Sequence, residues 1–247
     1  MSLLNTATPR LRMFAGPNGS GKSTMKSVLR RELLGVYINP DEIEAEIRDR
    51  DFLDVSVFGV ITNEREILEF FQNSTLLEKA DLLTETESLR FNDNKLSFHD
   101  TGVNAYFASV AADFIRQKLI LSRRSFAFET VMSSPDKIEL LEKAKSFGYR
   151  TYLYFVATDS PSINISRVKY RVKTGGHDVP TDKITTRYYR SLDLLREAIK
   201  NTNRAYLFDN SGSELLWLAE ITDGKNLELK ADAVPPWFKK YVLDKFD

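Results

Sequence analysis

The segment Gly16-Pro17-Asn18-Gly19-Ser20-Gly21-Lys22-Ser23-Thr24 satisfies the pattern GxxxxGK[ST]. Its glycines allow successive backbone N–H groups to turn inward around an anionic phosphate at the start of a helix. In such a loop Lys22 reaches the β- and γ-phosphates of a nucleoside triphosphate, and the Ser23 hydroxyl becomes a ligand of Mg²⁺. A carboxylate follows at Asp41, just after a second apolar run at 36–39. At the C-terminal edge of a parallel strand it would open into the crevice where α/β sheets bind ligands, placed to accept the proton of an attacking hydroxyl. The competing role is to cap the next helix, with Glu44 completing a capping box. Arg167 and Arg171 are four residues apart in a stretch of helical spacing, hence on one face. There two guanidinium groups can converge on a transferring phosphoryl group. Lys169 and Lys173 nearby support the alternative of a solvated basic face. His177 reads as a loop-packing residue.

These residues need elements to hold them. A short apolar run at 11–15 enters the glycine loop and a helical pattern over 22–34 leaves it, so the order is strand, loop, helix. A strand at 36–39, a helix entry at Pro40-Asp41 and a helix to about residue 50 come next. The stretch from about 50 to 104 mixes apolar and acidic segments. It predicts helices at about 64–73 and 75–90 and a polar turn at 92–95, and reads as a helical insertion. A helix over 105–121 leads to a strand at 126–129, then a helix at 134–147 and a strand at 151–156. A helix over 161–173 begins at Pro161 and ends before Gly175-Gly176. A long helix over 181–200 and a strand at 205–209 follow. Asp223-Gly224, between runs at 215–221 and 226–231, is a hairpin signal, and an amphipathic helix starts near Pro236. The alternation predicts an α/β fold: a mostly parallel central sheet with helices on both faces, then a C-terminal β-hairpin and helix.

Composition narrows the function classes. With 247 residues, 42% hydrophobic and 28% charged, the chain suits a single domain over 1–247. Thirty-five basic residues balance 35 acidic ones with no long run of either sign, which argues against a nucleic-acid track or an anionic membrane surface. The lack of cysteine excludes disulfides and thiolate metal sites. No stretch approaches membrane-spanning length and residues 1–10 lack the core of a signal peptide, so the expected location is cytoplasmic. The guanine-reading NKxD segment of switch GTPases is not matched, because Asn94-Lys95-Leu96 is followed by Ser97. A kinase acting on a small-molecule acceptor is therefore expected. The rivals are a polynucleotide-end kinase, which needs a basic, aromatic-lined groove, and a non-catalytic NTP-dependent switch or partner-binding module.

Several separated segments agree with one family. GPNGSGKST (16–24), INPDEI (38–43), FAFETVMS (126–133) and SRVKYRVKTGGHDVP (166–180), followed by RYYRS (187–191), together resemble the zeta toxin family of P-loop kinases. Many families share the phosphate loop, whereas Phe-Glu-Thr after the third strand combined with Arg-x3-Arg-x3-Gly-Gly-His is much more specific. The resemblance implies an ATP- and Mg²⁺-dependent kinase that phosphorylates a sugar hydroxyl of UDP-N-acetylglucosamine or a related nucleotide sugar. It implies Asp41 as base, Lys22 as phosphate ligand, and Arg167 and Arg171 as arginines of a lid at about 158–190. Glu129 and Thr130 would face the acceptor or the metal, where the residues alone allow ordinary strand-end roles. An antitoxin protein becomes a candidate partner, and the loop at 209–212, with Asn210, is expected to border the adenine. The 50–104 stretch has no counterpart in the family pattern, which leaves the acceptor open.

Overall fold

The structure, a computed structural model, describes residues 7–25, 29–102, 104–176 and 178–246. Residues 26–28, His177 and the first six residues of the N-terminal segment, which enter the sequence reading, lie outside the described residues. In chain order the elements are β1 (Arg10–Ala15), α1 (Lys22–Met25), β2 (Val36–Ile38), α2 (Pro40–Arg50), β3 (Phe52–Asp54), α3 (Glu64–Gln72) and α4 (Thr75–Glu78). Then come β4 (Arg90–Asn92), β5 (Lys95–Ser97), α5 (Ala105–Leu121), β6 (Phe126–Thr130), α6 (Asp136–Ser146), β7 (Arg150–Ala157) and α7 (Pro161–Lys173). The chain finishes with α8 (Thr181–Asp193), α9 (Leu195–Lys200), β8 (Arg204–Asp209), β9 (Leu216–Thr222), β10 (Asn226–Leu229) and α10 (Pro236–Tyr241). It divides into two compact units, one made of residues up to 35 together with 127 onwards, the other of 36–126.

The first unit is built on strands in the order β10-β9-β8-β7-β1-β6. β1 pairs in parallel with β7 and β7 with β8, while β8, β9 and β10 are antiparallel. Leu11, Met13, Phe14 and Ala15 on β1 and Leu153, Phe155, Val156 and Ala157 on β7 are all fully buried. Runs this apolar, interrupted on β1 by the buried Arg12, belong to strands covered on both faces, and each large apolar side chain so buried contributes roughly 1.5–3 kcal/mol. Register positions the site. Ala15 pairs with Phe155 and Ala157 pairs with Asp209, so the segments that follow β1, β7 and β8 leave the sheet side by side at its C-terminal edge. The expected C-terminal hairpin is present, and Asp223 (φ 51°) and Gly224 (φ 68°) supply the left-handed pair of its turn.

The second unit packs its helices against a small antiparallel sheet of order β3-β5-β4. Leu53 and Leu96 face inward, and Phe71, Phe98 and Phe107 form an aromatic cluster with centroids 6.0–6.4 Å apart. Lys118 on α5 reaches Glu66 on α3 at 2.7 Å and, with the Thr62 hydroxyl, holds that carboxyl below its ordinary range.

Three expectations change. The 50–104 stretch is not wholly helical, since it contains the strands β3, β4 and β5. The helix expected over 75–90 stops at Glu78. There the Leu82 N–H turns back to the Leu77 carbonyl, Asp81 adopts left-handed backbone (φ 57°), and the Thr86 hydroxyl bonds the Leu83 carbonyl, so short polar side chains compete with the helix. The helix expected over 181–200 is divided at Leu194 into α8 and α9. For the pattern over 22–34, the described helical part is Lys22–Met25, followed by a 3₁₀ turn at Arg31–Leu33. The expected bounds of the 161–173 helix are those of α7. Among the described residues no helix is long and apolar enough to cross a membrane.

Candidate active site

The phosphate loop follows β1 and lies tight against β7. Gly16, Gly19 and Gly21 adopt φ of 146°, 75° and 99°, and a Cβ on Gly16 would sit 2.1 Å from the Val156 carbonyl oxygen. Glycine is therefore required by both conformation and space. The Lys22 ammonium donates to the carbonyls of Gly16 and Pro17, both at 2.9 Å, so it is held at the loop itself. The Thr24 N–H bonds the Gly21 carbonyl at 3.0 Å as α1 begins. Ser23 Oγ donates to Glu129 Oε2 at 3.3 Å, which brings the end of β6 to the first turn of α1. A hydroxyl and a carboxylate side by side are the hard oxygen donors that Mg²⁺ prefers, and the glycine cradle beside them suits a phosphate chain. Thr130 acts locally, its Oγ1 accepting the Met132 N–H at 3.1 Å and stabilising a turn in which Met132 is left-handed (φ 54°).

Helix α7 presents one face to this loop. Asn164, Arg167 and Arg171 are spaced three and four apart, and the fully buried Asn164 donates from Nδ2 to the Asn18 carbonyl at 2.5 Å. Arg167 and Arg171 are half-buried, whereas Lys169 and Lys173 are exposed. The lysines thus form the solvated side and the arginines the less exposed side of the helix. Arg167 Nη2 donates to the Gly212 carbonyl at 3.4 Å, while its Nη1 is buried with no hydrogen-bond partner among the described residues. A buried guanidinium N–H of this kind is well matched by an anionic oxygen.

The segment after β8 completes the ring. Asn210 donates from Nδ2 to the Ser20 carbonyl at 2.8 Å, so its carboxamide is engaged on the phosphate loop. The buried Asp209 accepts from the Ser211 N–H and hydroxyl, each at 2.9 Å, and from Trp237 Nε1 on α10 at 2.7 Å. Behind α7, the Tyr188 hydroxyl on α8 donates to the Thr158 carbonyl at 2.6 Å; burial, reinforced by Asp159, pushes its pKa well above the usual phenol range. The sequence reading gave no role to Asn164, Thr158 or Trp237, and it placed Tyr188 and Asp209 only within the 187–191 segment and the 209–212 loop. Asn164 carried a signal, because it shares the buried stripe of α7 with Val168, and a carboxamide in an apolar stripe needs a partner.

Asp41 belongs to the other unit. It is exposed in the first turn of α2, where the helix dipole favours its charge. The capping reading of Asp41 and Glu44 is corrected. Asn39 is the N-cap, accepting the Asp41 N–H at 3.0 Å with Pro40 in the first turn, and the buried Glu44 pairs with Arg48 at 2.6 Å. The structure brings together Lys22, Ser23, Glu129 and Asn210 at the phosphate loop, with Arg167 reaching the segment that follows β8, all within the first unit.

Known proteins place the chain in a family. The zeta toxin profile matches residues 95–222, more than half of the 247 residues. That span includes Glu129, Thr130, Arg167, Arg171 and Asn210 and begins after the phosphate loop and Asp41. An uncharacterized protein of Haemophilus influenzae is 26% identical over 175 residues, covering 71% of this chain and 89% of its own. Two crystal structures of the AvrRxo1-ORF1:ORF2 complex, with sulphate ions and with ATP, match with TM-scores of 0.55 and 0.52 at 13% and 14% identity. They cover 98% and 92% of this chain, which spans 66% and 62% of theirs, less than two thirds. The PezAT chromosomal toxin–antitoxin system of Streptococcus pneumoniae matches with a TM-score of 0.52 at 13% identity, over 100% of this chain and 83% of that one. At such identities the structural likeness shows the fold, a mostly parallel α/β sheet flanked by helices. With the family profile over more than half of its sequence, the chain belongs to the zeta toxin family of P-loop kinases.

Proposed function

We propose that the protein is an ATP-dependent phosphotransferase that moves the γ-phosphoryl group to a hydroxyl of a small acceptor, a nucleotide sugar such as UDP-N-acetylglucosamine being the first to test. The single observation that carries this reading is the cradle at Gly16–Thr24, with Lys22 at its carbonyls and Ser23 bonded to Glu129. In it the loop N–H groups and Lys22 bind the phosphate chain, and Ser23 and Glu129 would hold Mg²⁺. Such an ion would supply charge neutralisation on the phosphate chain. Arg167 and Arg171, on the half-buried side of α7, donate to the equatorial oxygens as the phosphoryl group passes between donor and acceptor. Asp41 takes the proton from the acceptor hydroxyl; that oxygen bonds to the γ-phosphorus, and the bond to the β-bridging oxygen breaks with release of ADP. Mg²⁺ and the cytoplasm as the site of action are parts of the same proposal.

The direct test is incubation with ATP, Mg²⁺ and UDP-N-acetylglucosamine followed by mass spectrometry of the sugar nucleotide. A gain of one phosphoryl group is expected; ATP consumption with no phosphorylated acceptor across a panel of sugar nucleotides would remove the acceptor half of the reading. PezAT, which shares the fold, is a toxin–antitoxin system. On that likeness a protein antitoxin is proposed as the partner, to be sought by co-purification with the product of an adjacent reading frame.

A further inference from the structure

A phosphate-binding nest works by aiming consecutive N–H groups inward, which forces the intervening carbonyls outward. In this loop two outward carbonyls are each met by a side-chain carboxamide: Asn18 O by Asn164 Nδ2 at 2.5 Å, and Ser20 O by Asn210 Nδ2 at 2.8 Å. Ser20 and Asn164 are fully buried, so the carboxamides serve where bulk water does not reach. Two glycines make room for these residues: a Cβ on Gly19 would lie 2.6 Å from the Asn164 backbone carbonyl oxygen, and one on Gly21 would lie 2.2 Å from the Asn210 carboxamide nitrogen. Each carboxamide is itself fixed. The Thr158 hydroxyl donates to Asn164 Oδ1, Tyr188 holds the Thr158 carbonyl, and the Asn210 N–H is tied to Ala157 O at 2.8 Å. The two asparagines enter from the segments following two adjacent strands, β7 and β8.

We propose that Asn164 and Asn210 are positioning residues that lock the phosphate loop in its anion-binding conformation, and that Asn210 serves the loop rather than reading the adenine. The inference rests on the loop being a polyphosphate site, and it assigns both residues to the phosphates and neither to the base.

The test is titration of wild type, Asn210→Ala and Asn164→Asp with ATP, GTP and tripolyphosphate, alongside thermal melts without ligand. Asn164→Asp keeps the shape and the acceptor for Thr158 but loses the donor to Asn18. Asn210→Ala is expected to weaken all three ligands by a similar factor, about three- to tenfold, as loss of one hydrogen bond predicts, and Asn164→Asp to weaken all three by more, because it also sets a buried carboxylate oxygen against the Asn18 carbonyl. KM for ATP rises accordingly, with kcat at saturation within about twofold. If the buried Asn164→Asp does not fold, Thr158→Val loosens the same carboxamide, and about a two- to threefold loss is expected for all three ligands. ATP binding lost while tripolyphosphate binding is untouched in Asn210→Ala would overturn the proposal in favour of base recognition. Unchanged affinity for all three would overturn it as well. A wild-type protein that binds neither ATP nor tripolyphosphate would overturn both the inference and the reading beneath it.

Discussion

The two units treat their polar groups in opposite ways. Around the phosphate loop the functional side chains are engaged, and all but the exposed Ser23 are buried or half-buried: Ser23 with Glu129, Asn164 with Asn18, Asn210 with Ser20, Trp237 with Asp209. At the start of α2 the Asp41 carboxylate stands exposed, and the helix relies on Asn39 rather than on it for its cap. A group that must grip the same polyphosphate in every cycle gains from being fixed beforehand, because no reorganisation is then needed at the moment of transfer. A proton acceptor that must meet an incoming hydroxyl works from an accessible position. On the proposed reading, the difference teaches that the donor half of the reaction would be built into the fold, whereas the acceptor half would be presented on a helix start.

The most severe way to break this comparison is Asp41→Asn. Phosphoryl transfer should fall by about 10²- to 10⁴-fold while the ATP dissociation constant stays put, because the change removes a general base and nothing that holds ATP. Unaltered turnover would show that Asp41 is no base and would favour an NTP-dependent switch. The next contrast lies within α7: Arg171→Ala should lower kcat by about 10²-fold, and Lys173→Ala on the exposed side should leave it within about twofold. Equal effects from the two would restore the solvated-face reading. Gly21→Ala, which forces a Cβ against Asn210 and a strained φ, should weaken ATP binding by about ten- to a hundredfold, measurable by calorimetry.

The smaller effects concern stability. Asn39→Ala removes the α2 cap and should cost about 1 kcal/mol in denaturant unfolding, with Asp41→Ala much milder if the cap assignment holds. Tyr188→Phe should cost about 1 kcal/mol at neutral pH through the lost bond to Thr158. Its pH dependence has a definite sign. Burial raises the folded pKa of Tyr188, so its contribution is intact below the unfolded phenol value of about 10 and disappears as pH climbs through the higher folded value. The Phe variant should therefore lose less stability than wild type on going from neutral to strongly alkaline solution, as followed by circular dichroism.

Much of the first unit was legible because its signals are local and mutually consistent. The apolar run into the glycine loop, proline at the start and glycine at the end of α7, and Asp223-Gly224 each encode one conformation with little help from distant residues. The second unit was less legible, since the 75–90 stretch has helical apolar spacing and only the tertiary setting ends α4 at Glu78. The cap of α2 was misread although the signal was present: proline in the first helical position places the cap one residue earlier, at Asn39. In the site, Lys22, Ser23 and the two arginines follow from motif and spacing. Asn164 and Asp209 do not, because their partners lie 146 and 28 residues away along the chain and only the sheet register brings them together.

The bond between Trp237 and Asp209 gives the protein an optical property. The chain has two tryptophans, of which Trp217 is 39% exposed and Trp237 only 4%. An aqueous quencher such as iodide would silence the first and spare the second. The surviving emission comes from an indole whose N–H rests on the carboxylate next to Asn210. Its wavelength and lifetime would register any shift of that corner as nucleotide enters, with no added dye.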